Sequence, residues 1–164
     1  MLYFTSMDQN DSFKKLKEEA RIFYDSIGKV FCPAFNAHVH FTSDGFHHLR
    51  YDSKRRERTK PEQRNKLCHI KEAAQTMIKT STIQEYREEL EPTGLKDSRG
   101  FRKMEKVRYY GFWAVLKNNT RFKTIVRQEE NGPYLFWSVM PYWTEKIINQ
   151  KKVRILASRK IVDE

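Results

Sequence analysis

The sequence contains few cysteine, glycine or proline residues and no long apolar run. Among 164 residues there are two Cys, six Gly and five Pro. Two cysteines are too few for a disulfide framework, so we expect a reducing, cytoplasmic environment. The low glycine and proline content excludes collagen-like and low-complexity sequence. No apolar run approaches the roughly 18 residues of a membrane span, and the first residues do not resemble a signal peptide, so no membrane partner is expected.

Aromatic residues, by contrast, are abundant. They make up 13% of the chain, within a hydrophobic fraction of only 38%. Disordered chains are poor in aromatic residues, and this length predicts one domain with a sizeable core. We therefore expect residues 1–10 to be a disordered or cloning-derived N-terminus. Residues 11–164 are expected to form a single domain, with residues 50–90 as a basic, helical insertion.

The formal net charge of +11 is concentrated in three blocks. Residues 50–66 carry eight basic and three acidic side chains, residues 99–127 carry nine and one, and residues 146–160 carry six and none. Separated basic blocks predict a positive face assembled by the fold, for which a polyanion such as RNA is the natural partner. A basic surface that is merely solvated is the alternative.

Apolar spacing and capping residues predict helices at residues 11–27, 59–79 and 82–90. A short strand is expected at residues 36–42, followed by a turn at Ser43-Asp44-Gly45. Residues 46–51 fit either a second strand or the beginning of the basic loop.

The last third of the chain is rich in β-forming residues. Strands are expected at residues 106–116, 120–127 and 134–140, and the turns between them predict an antiparallel meander. Residues 152–161 fit either a strand or a helix. The order predicts an α+β fold, with N-terminal helices packed on one face of a four- to five-stranded antiparallel sheet. The other face of the sheet is free to bind.

Four of the five histidines lie within eleven residues: His38, His40, His47 and His48. Histidine transfers protons near neutral pH. A ribonuclease that needs no metal requires one group to take the 2′-hydroxyl proton and one to protonate the leaving 5′-oxygen. It also requires cations for the charge that develops on phosphorus. The alternative is that these histidines are surface residues or hydrogen-bonded core residues.

Zinc is the competing chemical interpretation of the same segment. His38, His40 and Cys32, completed by His47 or His48, have the chemistry of zinc ligands. Their spacing, however, matches no zinc motif, and the sequence has neither a glycine-rich phosphate loop nor an acidic cluster for two magnesium ions. We therefore expect neither a metal nor a cofactor.

The strand at residues 120–127 places a basic stripe on one face: Arg121, Lys123, Ile125 and Arg127. A solvated strand face explains this pattern equally well. Ser138 on the next strand has a hydroxyl suited to a phosphate, or to a structural hydrogen bond. Tyr142 and Trp143 fit either stacking on bases or packing in the core.

The segment His40-Phe41-Thr42-Ser43-Asp44-Gly45-Phe46-His47-His48-Leu49 resembles the early histidine motif of phage- and mobile-element-associated nucleases. These belong to the superfamily that groups barnase, EndoU, some colicins and RelE toxins. In that motif, a strand and turn ending in Gly-x-x-His-Leu present a catalytic histidine, here His48. Residues 121–127 and 136–141 resemble its terminal strands, where a basic residue and a Ser or Thr before Pro join the site. The sequence departs from the pattern in its insertion at residues 50–90 and in lacking a second histidine in the meander.

The resemblance and the histidines together predict a metal-independent endoribonuclease of toxin or phage-associated type. It would leave a 2′,3′-cyclic phosphate and a 5′-hydroxyl. His48 is the expected general acid or base and His40 its partner, and Ser138 would orient a phosphate oxygen. The cations expected to stabilise the phosphorane are Arg127, Lys123 and Arg108. The residues expected to hold flanking RNA are Lys54, Arg55, Arg56, Arg64, Arg121, Tyr142 and Trp143.

Two further expectations concern partners. A toxic ribonuclease usually needs a neutralising protein, so an acidic antitoxin or immunity protein is a conditional prediction. The alternative function is a non-catalytic nucleic-acid-binding or protein-adaptor module of the same fold, in which the histidines are structural.

Overall fold

The computed structural model describes residues 6–116, 119, 121–142, 144–148 and 150–155, with side chains for residues 9–116, 119, 121–140 and 150. The described residues form four helices and eight strands, in the order α1 (Ser6–Ile27), β1 (Lys29–Cys32), β2 (Ala37–His40), α2 (Ser43–Arg50), α3 (Lys60–Leu67), α4 (Ile70–Lys79), β3 (Glu85–Thr93), β4 (Lys103–Val115), β5 (Arg121–Glu129), β6 (Tyr134–Tyr142), β7 (Thr144–Ile148) and β8 (Lys151–Ile155). The α+β class is as predicted. None of the helices in the described ranges has the length and apolar character needed to cross a bilayer.

The main sheet differs from the predicted one in strand number and direction. It has six strands in the order β1-β2-β6-β5-β4-β3, while β7 and β8 form a separate antiparallel pair. The predicted meander is present as β4, β5 and β6. However, β2 runs parallel to β6, with Val39 opposite Tyr134 and His40 opposite Leu135. Because α2, α3, α4 and strands β3 to β5 separate these two strands in sequence, no hairpin forces them to be antiparallel.

Residues 46–51 are not a second strand, because most of them belong to α2. Thr42 has an extended backbone, and its hydroxyl accepts a hydrogen bond from the N–H of Gly45 at 3.5 Å. Thr42 is therefore the N-cap, and the predicted turn at residues 43–45 is the first turn of the helix.

The predicted helix at residues 59–79 is divided into α3 and α4 at Cys68 and His69. The capping box at its start is confirmed. The N–H of Thr59 donates to the Glu62 carboxylate at 2.8 Å, and the N–H of Glu62 donates to the Thr59 hydroxyl at 3.4 Å. The hydrogen bond from Thr59 contributes to lowering the pKa of Glu62.

The predicted helix at residues 82–90 is wrong, since residues 85–93 form β3. All nine residues of β3 pair with β4, from Glu85 opposite Gly111 to Thr93 opposite Lys103. A capping-box spacing stabilises a helix start by about 1 kcal/mol, which a ladder of nine pairs outweighs. The first helix also differs from its prediction, because α1 begins at Ser6 and includes residues assigned to a disordered N-terminus.

The sheet has two unequal faces. The helices pack on one face, where the fully buried side chains include Tyr24, Leu49, Met77, Phe112 and Phe136. The opposite face carries a smaller cluster that contains no helix residue among the described side chains: Val107, Tyr109, Ile125 and Met140, with Trp113 and Trp137 packed against it. This second face is where a binding surface was expected.

Candidate active site

A cavity of about 500 Å³ opens on this second face of the sheet. Strands β3 to β6 supply its floor, and the end of α2 and two loops supply its rim. Eleven residues line it: His48, Ser53, Arg87, Glu89, Glu91, Pro92, Arg102, Tyr109, Ile125, Arg127 and Trp137. Two of the predicted catalytic residues, from distant parts of the chain, are therefore in one cavity.

His48 reaches the cavity because Gly45 lets α2 approach β6 closely. A Cβ at Gly45 would lie 2.3 Å from the carbonyl oxygen of Phe136 and 2.5 Å from the hydroxyl oxygen of Tyr24. Residues three apart share a helix face, so His48 meets the residue next to Phe136. Its ring stacks on Trp137, with centroids 4.6 Å apart and an interplanar angle of 22°. His48 is only 7% exposed.

Arg127 lies against the same tryptophan. Its guanidinium carbon is 4.7 Å from the centroid of the Trp137 ring. The guanidinium donates to the Tyr109 hydroxyl oxygen at 3.3 Å, and it pairs with Glu129 and, at 3.6 Å, with Glu91. The ring of Trp137 therefore contacts both the imidazole of His48 and the guanidinium of Arg127.

Tyr109 and Glu91 form a second fixed pair in the cavity. The Tyr109 hydroxyl lies 2.9 Å from both carboxylate oxygens of Glu91. Burial raises the pKa of Tyr109 to about 12, although the Arg127 charge acts in the opposite direction. The phenol is therefore a neutral donor at physiological pH, and it holds the carboxylate of Glu91 in place.

Two further arginines supply positive charge to the cavity. The guanidinium carbon of Arg87 is 4.7 Å from the centroid of the Tyr109 ring, and Arg87 pairs with Glu89 at 3.1 Å. The Nε atoms of Arg87 and Arg102 are buried and have no hydrogen-bond partner among the described residues. Buried donors of this kind are costly unless a ligand accepts from them. An anion with several oxygens, such as a phosphate, is a suitable acceptor.

The other predicted catalytic residues do not line this cavity. His40 lies on β2, opposite Lys29 and Leu135. The Lys123 side chain is fully buried, 2.7 Å from the Glu85 carboxylate. Ser138 is also fully buried, and its hydroxyl accepts a hydrogen bond from Lys66 at 3.0 Å.

Arg108 is the remaining predicted cation outside the cavity. It donates to the Glu88 carboxylate at 3.0 Å and to the Glu130 carbonyl at 2.9 Å. Together with Tyr86 and Lys106, it lowers the pKa of Glu88 to about 2. Arg108 therefore links β3, β4 and the turn that follows β5.

Most of the residues predicted to bind RNA are solvent-exposed. Lys54, Arg55 and Arg56 lie on the loop after α2, Arg64 lies on α3, and Arg121 begins β5. Tyr142 belongs to β6, but its side chain is outside the described residues, as is the whole of Trp143.

Sequence reasoning missed the cavity residues contributed by β3. The alternation of Arg87, Glu89 and Glu91 at period two was a strand signal, and the neighbouring capping-box pattern obscured it. The sequence places Tyr109 and Trp137 on predicted strands but does not indicate a catalytic role for either. Their contribution depends on β4 and β6 both lying next to β5.

Cys32, His38, His40, His47 and His48 do not form a zinc site. Within the described ranges, no three His, Cys, Asp or Glu side chains are grouped so that they could hold a metal ion.

No family model, curated protein or solved structure matches the chain. The chemistry of the cavity is therefore what supports a function.

Proposed function

We propose that this protein is a metal-independent endoribonuclease. The 2′-hydroxyl attacks the adjacent phosphate, the bond to the 5′-oxygen breaks, and the products carry a 2′,3′-cyclic phosphate and a 5′-hydroxyl. The observation that carries the proposal is the convergence of His48 and Arg127 on Trp137, within a cavity that two carboxylates and two more arginines also line. The resemblance to the barnase–EndoU–colicin–RelE superfamily implies the same activity and the same histidine, His48.

His48 and Glu91 are the proposed acid–base pair. One takes the proton of the attacking 2′-hydroxyl, and the other protonates the leaving 5′-oxygen. Glu91 replaces His40 as the partner, because His40 does not line the cavity and Glu91 does. The Tyr109 hydroxyl orients the Glu91 carboxylate, so we assign Glu91 the role of base and His48 the role of acid.

Arg127, Arg87 and Arg102 are the proposed phosphate ligands. Negative charge accumulates on the non-bridging oxygens as phosphorus becomes five-coordinate. Guanidinium groups that are already oriented stabilise that charge without reorganisation during the reaction. Arg127 is the most firmly held of the three, since Tyr109, Glu91 and Glu129 all contact it.

Flanking RNA would lie along the exposed cations of the loop after α2, chiefly Lys54 and Arg55. An acidic inhibitor protein would compete for the same surface, and we propose such a partner for a toxin acting in the cytoplasm. Co-purification with an acidic protein that blocks cleavage would support this extension. Harmless expression of the active enzyme would contradict it.

The direct test is cleavage of end-labelled total RNA by the purified chain, with and without EDTA. We expect EDTA-resistant cleavage that leaves cyclic-phosphate ends. His48→Ala should lower the rate by about 10²- to 10⁴-fold. His38→Ala, at an exposed position on β2, serves as the matched control, and His40→Ala tests the two-histidine alternative.

Two outcomes would contradict the proposal, and a third would change the assignment of one catalytic residue. Cleavage that EDTA abolishes would indicate a metal-dependent reaction. Undiminished cleavage by His48→Ala, in a variant whose melting temperature shows that it is folded, would exclude His48. Loss of activity in His40→Ala at unchanged stability would restore His40 as the partner of His48.

A non-catalytic RNA-binding module is the second candidate. Its support is the burial of His48 against Trp137, which is also the environment of a structural histidine. In that case RNA is retained in a salt-sensitive manner while no product forms.

A further inference from the structure

A second cavity, of about 620 Å³, adjoins the first one. The two cavities share His48, Ser53 and Trp137, so the stacked His48–Trp137 pair lies at their boundary. A nucleotide whose phosphate occupies the first cavity has room for its base in the second. The proposed reaction does not use this second space.

The loop after α2 forms one wall of the second cavity, and Asp52 holds its shape. The Asp52 carboxylate accepts hydrogen bonds from the N–H groups of Lys54 and Arg56, both at 2.9 Å, and from the Arg56 side chain at 2.8 Å. These hydrogen bonds lower the pKa of Asp52, whose side chain is half-buried. The Asp52 carboxylate is therefore occupied by hydrogen bonds within the loop. Arg55, whose φ is +60°, lines the cavity.

A pair of stacked rings lines the same cavity. The centroids of His47 and Tyr51 are 4.2 Å apart, and the two planes differ by 10°. His47 is exposed, although Tyr51 covers one of its faces. A flat aromatic surface beside a phosphate site is suited to stacking of a nucleobase, which contributes about 1–3 kcal/mol per base.

Asp44 is an exposed carboxylate that also lines this cavity. It lies in the first turn of α2, and none of the described residues donates a hydrogen bond to it. The Watson–Crick edge of guanine presents two adjacent donors, N1–H and the N2 amino group, which match the two oxygens of a carboxylate. Adenine, cytosine and uracil each present an acceptor where one oxygen would lie. A carboxylate at this place therefore discriminates in favour of guanine.

We propose that the second cavity binds a guanine base beside the scissile phosphate. Asp44 accepts hydrogen bonds from the guanine edge, the His47–Tyr51 pair stacks on the base, and Arg55 contacts a neighbouring phosphate. The position of the base relative to bond cleavage rests on the proposed function. The recognition of guanine rests only on the second cavity.

The test is calorimetric titration of the full chain with the four 3′-ribonucleoside monophosphates, which cannot be cleaved. We expect 3′-GMP to bind at least about tenfold more tightly than the other three. Asp44→Asn keeps the size of the side chain but replaces one acceptor with a donor, so it should abolish that preference. Asp11→Asn, which removes the same charge from an exposed position on α1, should retain it.

A purely structural role for Asp44 would change stability without changing the preference for guanine. Asp44 also interacts favourably with the N-terminus of α2, so Asp44→Asn lowers the melting temperature slightly in either case. Equal binding of the four nucleotides would overturn the guanine site, as would a 3′-GMP preference that persists in Asp44→Asn. RNA cleavage without guanine preference would contradict the guanine site but would still support the proposed endoribonuclease activity. Selective binding of 3′-GMP by a chain that cleaves no RNA would support the guanine site but contradict the proposed endoribonuclease activity.

Discussion

Arg127 and Lys123 show how neighbouring cations on one strand acquire different roles. Both lie on β5 and both point away from the helices, as period-two alternation predicts. Lys123 is fully buried, with its ammonium 4.5 Å from the centroid of the Trp113 ring. Arg127 lines the cavity. The alternation alone could not distinguish them, because the difference depends on which residues of β3 and β4 lie opposite.

At the scale of single residues, Arg127→Ala should lower kcat for RNA cleavage by about 10²- to 10³-fold, the usual cost of removing one oriented donor. Arg127→Lys should recover only part of the loss, because an ammonium lacks the planar fork of a guanidinium. Steady-state kinetics on a short oligonucleotide measures both variants. Arg121→Ala, at the exposed start of the same strand, should raise KM instead. An unchanged kcat in Arg127→Ala would contradict the proposed role of Arg127 in stabilising the transition state.

At the scale of the elements, α2 gives the Gly-x-x-His spacing a structural explanation. Gly45 allows the helix to contact β6, and His48 then lies on the contacting face. The sequence indicated that these two residues belong together, through a resemblance. It did not indicate a helix, because the residues Ser43-Asp44-Gly45 are as typical of a turn as of a helix start.

Gly45→Ala should destabilise the protein by about 1–3 kcal/mol, although alanine favours a helix by about 1 kcal/mol. The physical reason is that the new methyl group would meet the backbone oxygen of Phe136, which cannot rotate away. Chemical denaturation measures the change. Ser43→Ala, in the same helical turn, should stay within about 0.5 kcal/mol of the parent protein. Equal stability of Gly45→Ala and the parent would contradict the close contact.

At the scale of the whole molecule, the net charge of +11 overstates the surface that can hold RNA. Several basic residues of the block at 50–66 are used inside the fold. Arg50 donates to Gln63 at 3.3 Å, Arg58 donates to the His48 carbonyl at 3.3 Å, and Lys66 is buried. Lys54 and Arg55 are exposed, so a count along the sequence could identify the block but not its free members.

RNA affinity should therefore fall steeply as the salt concentration rises. We expect the steepness to depend on where each basic residue lies on the surface, and not on the total charge of the chain. Arg55→Ala should reduce the slope of log K against log salt concentration by about 0.7. Lys15→Ala removes the same charge from α1 and should leave the slope unchanged. Filter binding of a single-stranded oligonucleotide across a salt series measures both. Equal reductions in the two variants would indicate a diffuse charge effect and no RNA path beside the cavity.

Features that depend on neighbouring residues could be predicted from the sequence: the helix of α1, the capping box of Thr59 and Glu62, the three strands of the meander, and His48 and Arg127 as candidates. These follow from spacing and local hydrogen bonds within a few residues of the chain. Three further features became apparent only in the folded chain: residues 85–93 are a strand, β2 runs parallel to β6, and Glu91, and not His40, shares a cavity with His48. Those outcomes depend on pairing and packing between distant segments, which local propensity does not encode.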